Sequence, residues 1–164
     1  GAPGFSDEVF ADYRACLAAA LPYADYIVLN FSNEALSRTL GSEAARRIVS
    51  EARAGIDACA CSDGRPIPLM ANVNAGDWPV VPAAAQAHDG FVIVSDSVAC
   101  VRAFRMALPF HAIVSSGGVE TGRDVLERVR AGADLVQIHR AFADGGQACV
   151  ERMLQDLAWS AADD

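Results

Sequence analysis

Two glycines at the end of an apolar segment are the residues of this chain that most directly suggest a ligand site. Residues 113–119 read IVSSGGV, and the glycines are Gly117 and Gly118. Because glycine has no Cβ, such a pair lets backbone N–H groups approach an anion, and a helix N-terminus beside it would add a favourable dipole. The sequence therefore predicts a phosphate-binding corner, and the alternative is a tight strand-to-helix turn without a ligand.

Charged and imidazole side chains follow other apolar segments and could take part in proton transfer. His139 and Arg140 come after the last such segment. The histidine could shuttle a proton, and the arginine could either hold a phosphate through two hydrogen bonds or form a surface ion pair. Asp96 follows another segment and could form an acid–base or metal-binding pair with Glu34, although solvated loop carboxylates are the simpler interpretation.

Five apolar segments of strand length must position these residues. Each is almost continuously hydrophobic, which is typical of parallel strands covered on both faces. They are residues 26–30, 68–73, 91–95, 111–115 and 135–138. The candidate residues therefore stand at or just beyond the carboxyl ends of predicted strands.

Helical patterns separate these segments and complete an alternating order, α-β-α-β-α-β-α-β-α-β-α. Ser6 and Ser42 are placed to cap helices over residues 7–20 and 43–60. A capping box of Thr121 and Asp124 opens a helix that runs to about Arg130. Gly145 and Gly146 precede a last helix that runs to about Trp159. Such alternation predicts an α/β protein with right-handed crossovers.

The strand count predicts a partial (β/α)8 barrel of about five parallel strands, with the glycine pair at the usual phosphate corner of that fold. We expect one half-barrel domain over residues 1–164. Residues 1–6 are expected to be either an extended segment before the first helix or residues added to the natural chain. Either the sheet stays open, or a second copy or companion half-barrel pairs with the edge at 26–30 or 135–138.

Composition excludes several classes of function. The formal net charge of −8 argues against nucleic acid, and all thirteen basic residues are arginine, which excludes a lysine Schiff base and a P-loop. Five scattered cysteines predict free thiols in a reducing cytoplasm, with neither disulfides nor a metal site. No apolar run approaches the ~20 residues that span a bilayer, so we expect a cytoplasmic protein without membrane contact.

Several segments taken together resemble dihydroorotate dehydrogenase, in particular the C-terminal half of the barrel in its membrane-associated class 2 branch. The resemblance is closest over the last third of the chain, and the segments that carry it are residues 8–13, 22–32, 68–73, 91–97, 117–119 and 131–138. It implies a (β/α)8 barrel that binds FMN at the carboxyl ends of its strands and oxidises dihydroorotate by hydride transfer to the flavin.

The resemblance also implies that the active-site residues of the family are replaced in this chain. Asn33 stands at the position of the catalytic base, and an amide cannot abstract a proton at neutral pH. Asn72 replaces a flavin-contacting lysine, and Asp96 replaces an orotate-binding asparagine. An aspartate there would repel the carboxylate of orotate by about 1 kcal/mol.

Two sets of candidate residues follow from these arguments. Asn33, Asp96 and His139 are the catalytic candidates. The candidates for cofactor binding are Asn30, Asn72, Ser95, Ser116, Gly117, Gly118, His139 and Arg140. The asparagine amides among them could hydrogen-bond the edge of a flavin or another planar ligand, or could cap the loops that they begin.

Three hypotheses about function remain open at this point. The first is a half-barrel derived from an FMN oxidoreductase, which binds a phosphorylated ligand or flavin with altered chemistry or none. The second is an interaction module that completes a barrel with a second copy or a partner chain. The third is an unrelated enzyme that uses Asp96, Glu34 and His139 on a phosphorylated substrate.

Overall fold

The computed structural model describes residues 7–32, 42–63, 66–74, 76 and 89–160. Its strands are β1 (Ile27–Asn30), β2 (Leu69–Asn74), β3 (Gly90–Val94), β4 (Ala112–Ser116) and β5 (Leu135–Gln137). Its helices are α1 (Asp7–Ala20), α2 (Ser42–Asp63), α3 (Val98–Ala107), α4 (Gly122–Arg130) and α5 (Arg140–Ser160). All five predicted strands are confirmed to within one residue at each end, and the helix expected between β2 and β3 lies outside the described residues.

The strands are hydrogen-bonded in the order β1-β2-β3-β4-β5. The pair β1 and β2 is parallel, with Ile27 opposite Leu69, and the pair β4 and β5 is parallel, with Val114 opposite Leu135. Parallel strands that follow one another in sequence order and alternate with helices form a partial (β/α)8 barrel, as the sequence predicts.

The chain divides into two compact units, residues 1–91 and residues 92–164, and β3 contributes residues to both. In the first unit, α1 and α2 pack their apolar faces together, and Arg47 lies over the ring of Phe10 at 4.0 Å from its centroid. In the second unit, α4 packs mainly against α5. The glycine pair belongs to the second unit.

Burial differs between the central and the outer strands, which corrects the expectation that every strand is covered on both faces. β2 and β3 are largely buried, β4 alternates between buried and partly exposed residues, and β1 and β5 are the most open. Val28 of β1 is 37% exposed and Leu135 of β5 is 66% exposed. The reason is position, because these two strands stand at the ends of the sheet.

An aspartate and an arginine tie together the amino ends of neighbouring strands in each unit. In the first unit, Asp89 accepts a hydrogen bond from the N–H of Leu69 at 2.7 Å and from Arg53 at 3.1 Å. In the second unit, Asp134 accepts one from the N–H of Ile113 at 2.7 Å and another from Arg105. We call these arrangements the aspartate clamps.

The last helix is interrupted at the glycines that the sequence places before it. The range of α5 runs from Arg140 to Ser160, but it consists of two helical segments that meet at Gly146. Gly146 has φ 54° and ψ −148°, which is not helical, and a glycine can adopt this conformation at little steric cost. The longer segment therefore begins after Gly146, as the sequence predicts, and a short helical segment from Arg140 precedes it, which the sequence does not predict.

Candidate functional site

The glycine pair forms a tight turn directly after β4. Gly117 has φ +97° and Gly118 has φ +59°, which disfavours any residue with a side chain. A Cβ on Gly117 would lie 3.1 Å from the carbonyl oxygen of Ser95, and a Cβ on Gly118 would lie 3.0 Å from Oδ1 of Asp96. Close packing against residues 95–96 is therefore one reason for glycine at both positions, because the atoms of these two residues occupy the space that a side chain would need.

The backbone donors of this turn remain available. None of the hydrogen bonds found among the described residues uses the N–H of Gly117, Gly118 or Val119. Consecutive backbone N–H groups without a protein acceptor are a common way to bind an anion. We call residues 117–119 the glycine corner.

The first turn of α4, which follows the glycine corner, is partly capped by side chains of the chain itself. Thr121 accepts a hydrogen bond from the N–H of Asp124, and Asp124 accepts one from the N–H of Thr121 at 2.8 Å, so the predicted capping box is present. The N–H of Gly122 donates to Asp156 of α5 at 3.3 Å. Two N–H groups in the first turn of α4 thus have acceptors within the chain, which are the hydroxyl of Thr121 and the carboxylate of Asp156.

The capping carboxylate has a perturbed acidity. Burial of Asp124 acts to raise the pKa of its carboxyl, but hydrogen bonds from Thr121 and Glu120 together with the charge of Arg128 lower that pKa overall. Asp124 is consequently ionised at neutral pH and remains committed to its cap.

Arg128 of α4 lies beneath the glycine corner and was missed by the sequence reasoning. Its side chain is 2% exposed, and its guanidinium donates to the carbonyl of Ser95 at 2.7 Å, to Oγ of Ser115 at 3.0 Å and to the carbonyl of Asp96 at 3.0 Å. An arginine on a charged helix ordinarily faces solvent, so nothing in its residue type signals this burial.

A cavity of about 420 Å³ lies beside the start of α5 and next to the glycine corner, since Glu120 directly follows Val119. Arg140 lines this cavity, as does Arg152, which the sequence reasoning did not single out. Glu120, Ala141, Asp144, Gly145 and Cys149 complete the lining. Two arginines and two carboxylates give this space mixed charge.

The other predicted residues of the second unit lie at strand ends, but some of their polar atoms are already engaged. Oγ of Ser95 accepts a hydrogen bond from the N–H of Ser97 at 3.1 Å, and the carbonyl of Ser116 accepts one from the N–H of Ser95 at 2.8 Å. His139 is exposed just before α5, and its carbonyl accepts from the N–H of Ala143.

In the first unit, Asn30 is the last residue of β1 and stands opposite Asn72, which lies two residues before the end of β2. Oδ1 of Asn30 accepts hydrogen bonds from the N–H and hydroxyl of Ser32 at 3.0 and 2.7 Å, so this asparagine caps its loop. Oδ1 of Asn72 is buried and has no partner among the described residues. The sequence reasoning missed Asn74, which donates to the carbonyl of Ser32 at 2.8 Å.

Two predicted residues cannot be placed. Asn33 and Glu34 lie outside the described residues. Within the described part of the chain, no group of three or more His, Cys, Asp or Glu side chains could hold a metal ion. None of the helices in those same ranges is long and apolar enough to cross a bilayer.

Fold and site together define an α/β protein with partial (β/α)8-barrel architecture and a glycine corner at the end of a strand. The family model for dihydroorotate dehydrogenase matches residues 89–160, which include β3, β4, β5 and the glycine corner. In both sequence and fold, the chain resembles dihydroorotate dehydrogenase.

Curated relatives extend this similarity over most of the chain. The dihydroorotate dehydrogenase (quinone) of Acidovorax sp. (strain JS42) is 27% identical over 186 aligned residues, which cover 89% of this chain and 52% of the relative. The mitochondrial dihydroorotate dehydrogenase (quinone) of Arabidopsis thaliana is 28% identical over 190, covering 93% of this chain and 41% of the relative. The chain spans about half the length of the curated relatives it matches.

Solved structures show the same fold. The dihydroorotate dehydrogenase of Eimeria tenella in complex with ferulenol superimposes with a TM-score of 0.74 at 18% identity, covering 92% of this chain and 55% of that one. The ligand-free enzyme from the same organism gives a TM-score of 0.75 at 18% identity, covering 88% and 54%.

Proposed function

We propose that this chain binds a phosphorylated ligand at the glycine corner of its second unit, and that FMN is the ligand to test first. The observation that carries this proposal is the turn at residues 117–119, whose N–H groups have no acceptor among the described residues. The corner directly follows a parallel strand, as phosphate sites of (β/α)8 barrels do. The similarity to dihydroorotate dehydrogenase supports the choice of FMN.

The residues of the corner suit the phosphate end of this cofactor. Three consecutive N–H groups can donate to phosphate oxygens, and the buried guanidinium of Arg128 adds positive charge beneath them. Asp96 opposes binding, because its carboxylate lies against the glycine pair. When bound, FMN supplies a hydride acceptor; the chain's own contribution is to hold the phosphate and exclude water from the corner.

Conventional oxidation of dihydroorotate is not part of this proposal. The family resemblance puts Asn33 at the base position and Asn72 at the position of the flavin-contacting lysine. Neither amide can take up a proton or carry a positive charge at neutral pH. We therefore propose a binding protein derived from an FMN oxidoreductase, with altered chemistry or none.

A flavin fluorescence titration with a substitution in the corner tests the proposal. Gly118→Asp places a carboxylate beside the N–H donors, and we expect it to weaken FMN binding at least tenfold through like-charge repulsion. Gly146→Asp is the matched control, because Gly146 also has positive φ but open space around its Cβ position. Its FMN affinity should stay within threefold of the wild type. Equal affinities of the wild type and Gly118→Asp would refute the proposal.

A second candidate function is assembly through the open edge of the sheet, and an apolar groove favours it. A cavity of about 460 Å³ lies between α1 and β1, and its lining includes Leu17, Tyr26 and Val28. Tyr26 is 59% exposed and Tyr23 nearby is 87% exposed. An exposed edge strand flanked by large apolar side chains is typical of a surface that pairs with another strand. We propose a second copy of this chain as its occupant.

A further inference from the structure

Arg128 is the most deeply buried charged side chain among the described residues, and binding of a ligand by backbone groups alone leaves its burial unexplained. It is 2% exposed, and its guanidinium carries a positive charge. Its three hydrogen bonds go to two carbonyls and one hydroxyl, all of them uncharged. Its Nε is buried without a partner.

The charge of Arg128 has no directly paired carboxylate. None of the ion pairs found in the described ranges includes it. Asp124, one helical turn earlier, interacts with it electrostatically, but that carboxylate is held by Thr121 and Glu120 in the capping box. A buried charge without an ion-pair partner is costly, so an anion bound nearby would stabilise it.

The guanidinium and the glycine corner share one contact. The carbonyl oxygen of Ser95 lies 2.7 Å from Nη1 of Arg128 and 3.1 Å from the Cβ position of Gly117. The same guanidinium also holds the carbonyl of Asp96, whose Cα is 3.2 Å from the Cβ position of Gly118. Arg128 therefore both supports residues 95–96, against which the glycines pack, and brings its charge directly beneath them.

We propose that Arg128 is the buried counter-charge of the glycine corner, a positioning residue that gives this corner its preference for a phosphate group. The inference rests on the proposed function and adds to it the residue that makes the corner prefer a ligand with a phosphate group over one without. Buried charges are screened by salt much less than exposed ones. The phosphate preference supplied by Arg128 should accordingly survive moderate ionic strength.

Substitutions at Ser115 test this role without removing the arginine. Ser115 is fully buried, and its Oγ accepts a hydrogen bond from Arg128 at 3.0 Å. Ser115→Asp would place a carboxylate beside the guanidinium of Arg128 and neutralise its charge. Ser115→Asn introduces a side chain of nearly the same size as aspartate but without the charge. The readout is the ratio of the riboflavin Kd to the FMN Kd, because the two ligands differ only in the phosphate group.

We expect the ratio to fall at least tenfold in Ser115→Asp relative to Ser115→Asn. A merely structural role of Arg128 would affect both variants alike, since their side chains have nearly the same volume. Equal ratios in the two variants would overturn the inference while leaving the proposed function intact. A wild-type ratio near one would instead refute the proposed function, and the inference with it.

A second pair of variants decides the matter if the Ser115 variants do not unfold cooperatively. Arg128→Gln should lower the ratio of the riboflavin Kd to the FMN Kd at least tenfold. Arg128→Lys keeps the charge, so its ratio should stay within threefold of the wild-type value. Arg102→Gln, an exposed arginine on α3, is the control for the loss of one positive charge and should leave the ratio unchanged. A ratio in Arg128→Gln equal to that in Arg102→Gln would overturn the inference.

Discussion

At the scale of single residues, the glycine corner combines favourable and unfavourable electrostatics. In our proposal, the N–H groups of the corner and the charge of Arg128 favour an anion, whereas Asp96 opposes it, since its Oδ1 lies 3.0 Å from the Cβ position of Gly118. The resemblance alone assigns Asp96 to a substrate-binding position. In the structure its carboxylate lies near the corner, where it would act as a like charge toward a bound phosphate.

Replacing Asp96 with asparagine should therefore strengthen FMN binding. Removal of a like charge near the phosphate is expected to be worth about 1 kcal/mol, or roughly fivefold in Kd. Flavin fluorescence titration measures it, with Glu43→Gln on α2 as a control for the loss of an exposed carboxylate. Weaker FMN binding by Asp96→Asn would contradict this interpretation and assign Asp96 a direct contact with the ligand.

At the scale of elements, the two ends of the strands serve different purposes. The carboxyl ends carry the glycine corner, while the amino ends carry the aspartate clamps, which join Asp89 to Leu69 and Asp134 to Ile113. In barrels of this kind, the carboxyl face is the site of function and the amino face contributes to stability. The same clamp occurs at two strand pairs, one in each unit, and in both it fixes the strand that precedes the aspartate in the sheet.

Loss of a clamp should lower stability much more than loss of a surface ion pair. Asp134→Ala leaves the N–H of Ile113 and Nη2 of Arg105 without their acceptor, and we expect a decrease of about 2 kcal/mol in the free energy of unfolding. Glu127→Ala, which breaks the exposed pair with Arg123, should cost about 0.5 kcal/mol or less. Urea denaturation measures both, and equal losses would show that the clamp is only a surface ion pair.

Strands were easier to predict from the sequence than the short helical segment that precedes the last helix. Continuous apolar segments with turn residues at their ends define β2 and β3 well, because burial on both faces leaves a strong pattern. Gly145 and Gly146 predicted where the longer segment of α5 begins, and Gly146 does depart from helical geometry. The helical segment that starts at Arg140 was not predicted, because so few residues show no helical periodicity of apolar side chains.

The candidate site was predicted in part. Gly117 and Gly118 were correctly placed at a strand end, since the glycine pair and the preceding apolar segment are visible in the sequence. The contacts of Arg128 could not be predicted, because they depend on β3 and β4 lying side by side. Asn30 was a candidate for ligand binding, and its amide oxygen instead accepts from Ser32, the alternative that the sequence left open.

At the scale of the whole molecule, the sheet ends in two exposed strands. Val28 on β1 and Leu135 on β5 are both partly open, and the chain spans about half the length of its curated relatives. Edge strands of this kind leave backbone donors and acceptors available for another chain. Association with a second copy would cover the groove between α1 and β1.

Sedimentation velocity over a range of concentrations tests this assembly. We expect the wild type to associate as its concentration rises, and Val28→Lys to remain monomeric, because a lysine on an edge strand opposes pairing. Ala99→Lys, at an exposed position of α3, should associate like the wild type. A wild type that stays monomeric at every concentration would refute assembly with a second copy.

Calorimetric titration of the wild-type protein with FMN and with riboflavin tests the central claim most directly. If the glycine corner holds a phosphate, FMN should bind at least tenfold more tightly than riboflavin, which lacks the phosphate and shares the rest of the molecule. Equal affinities for the two flavins, or no binding of FMN, would contradict the account.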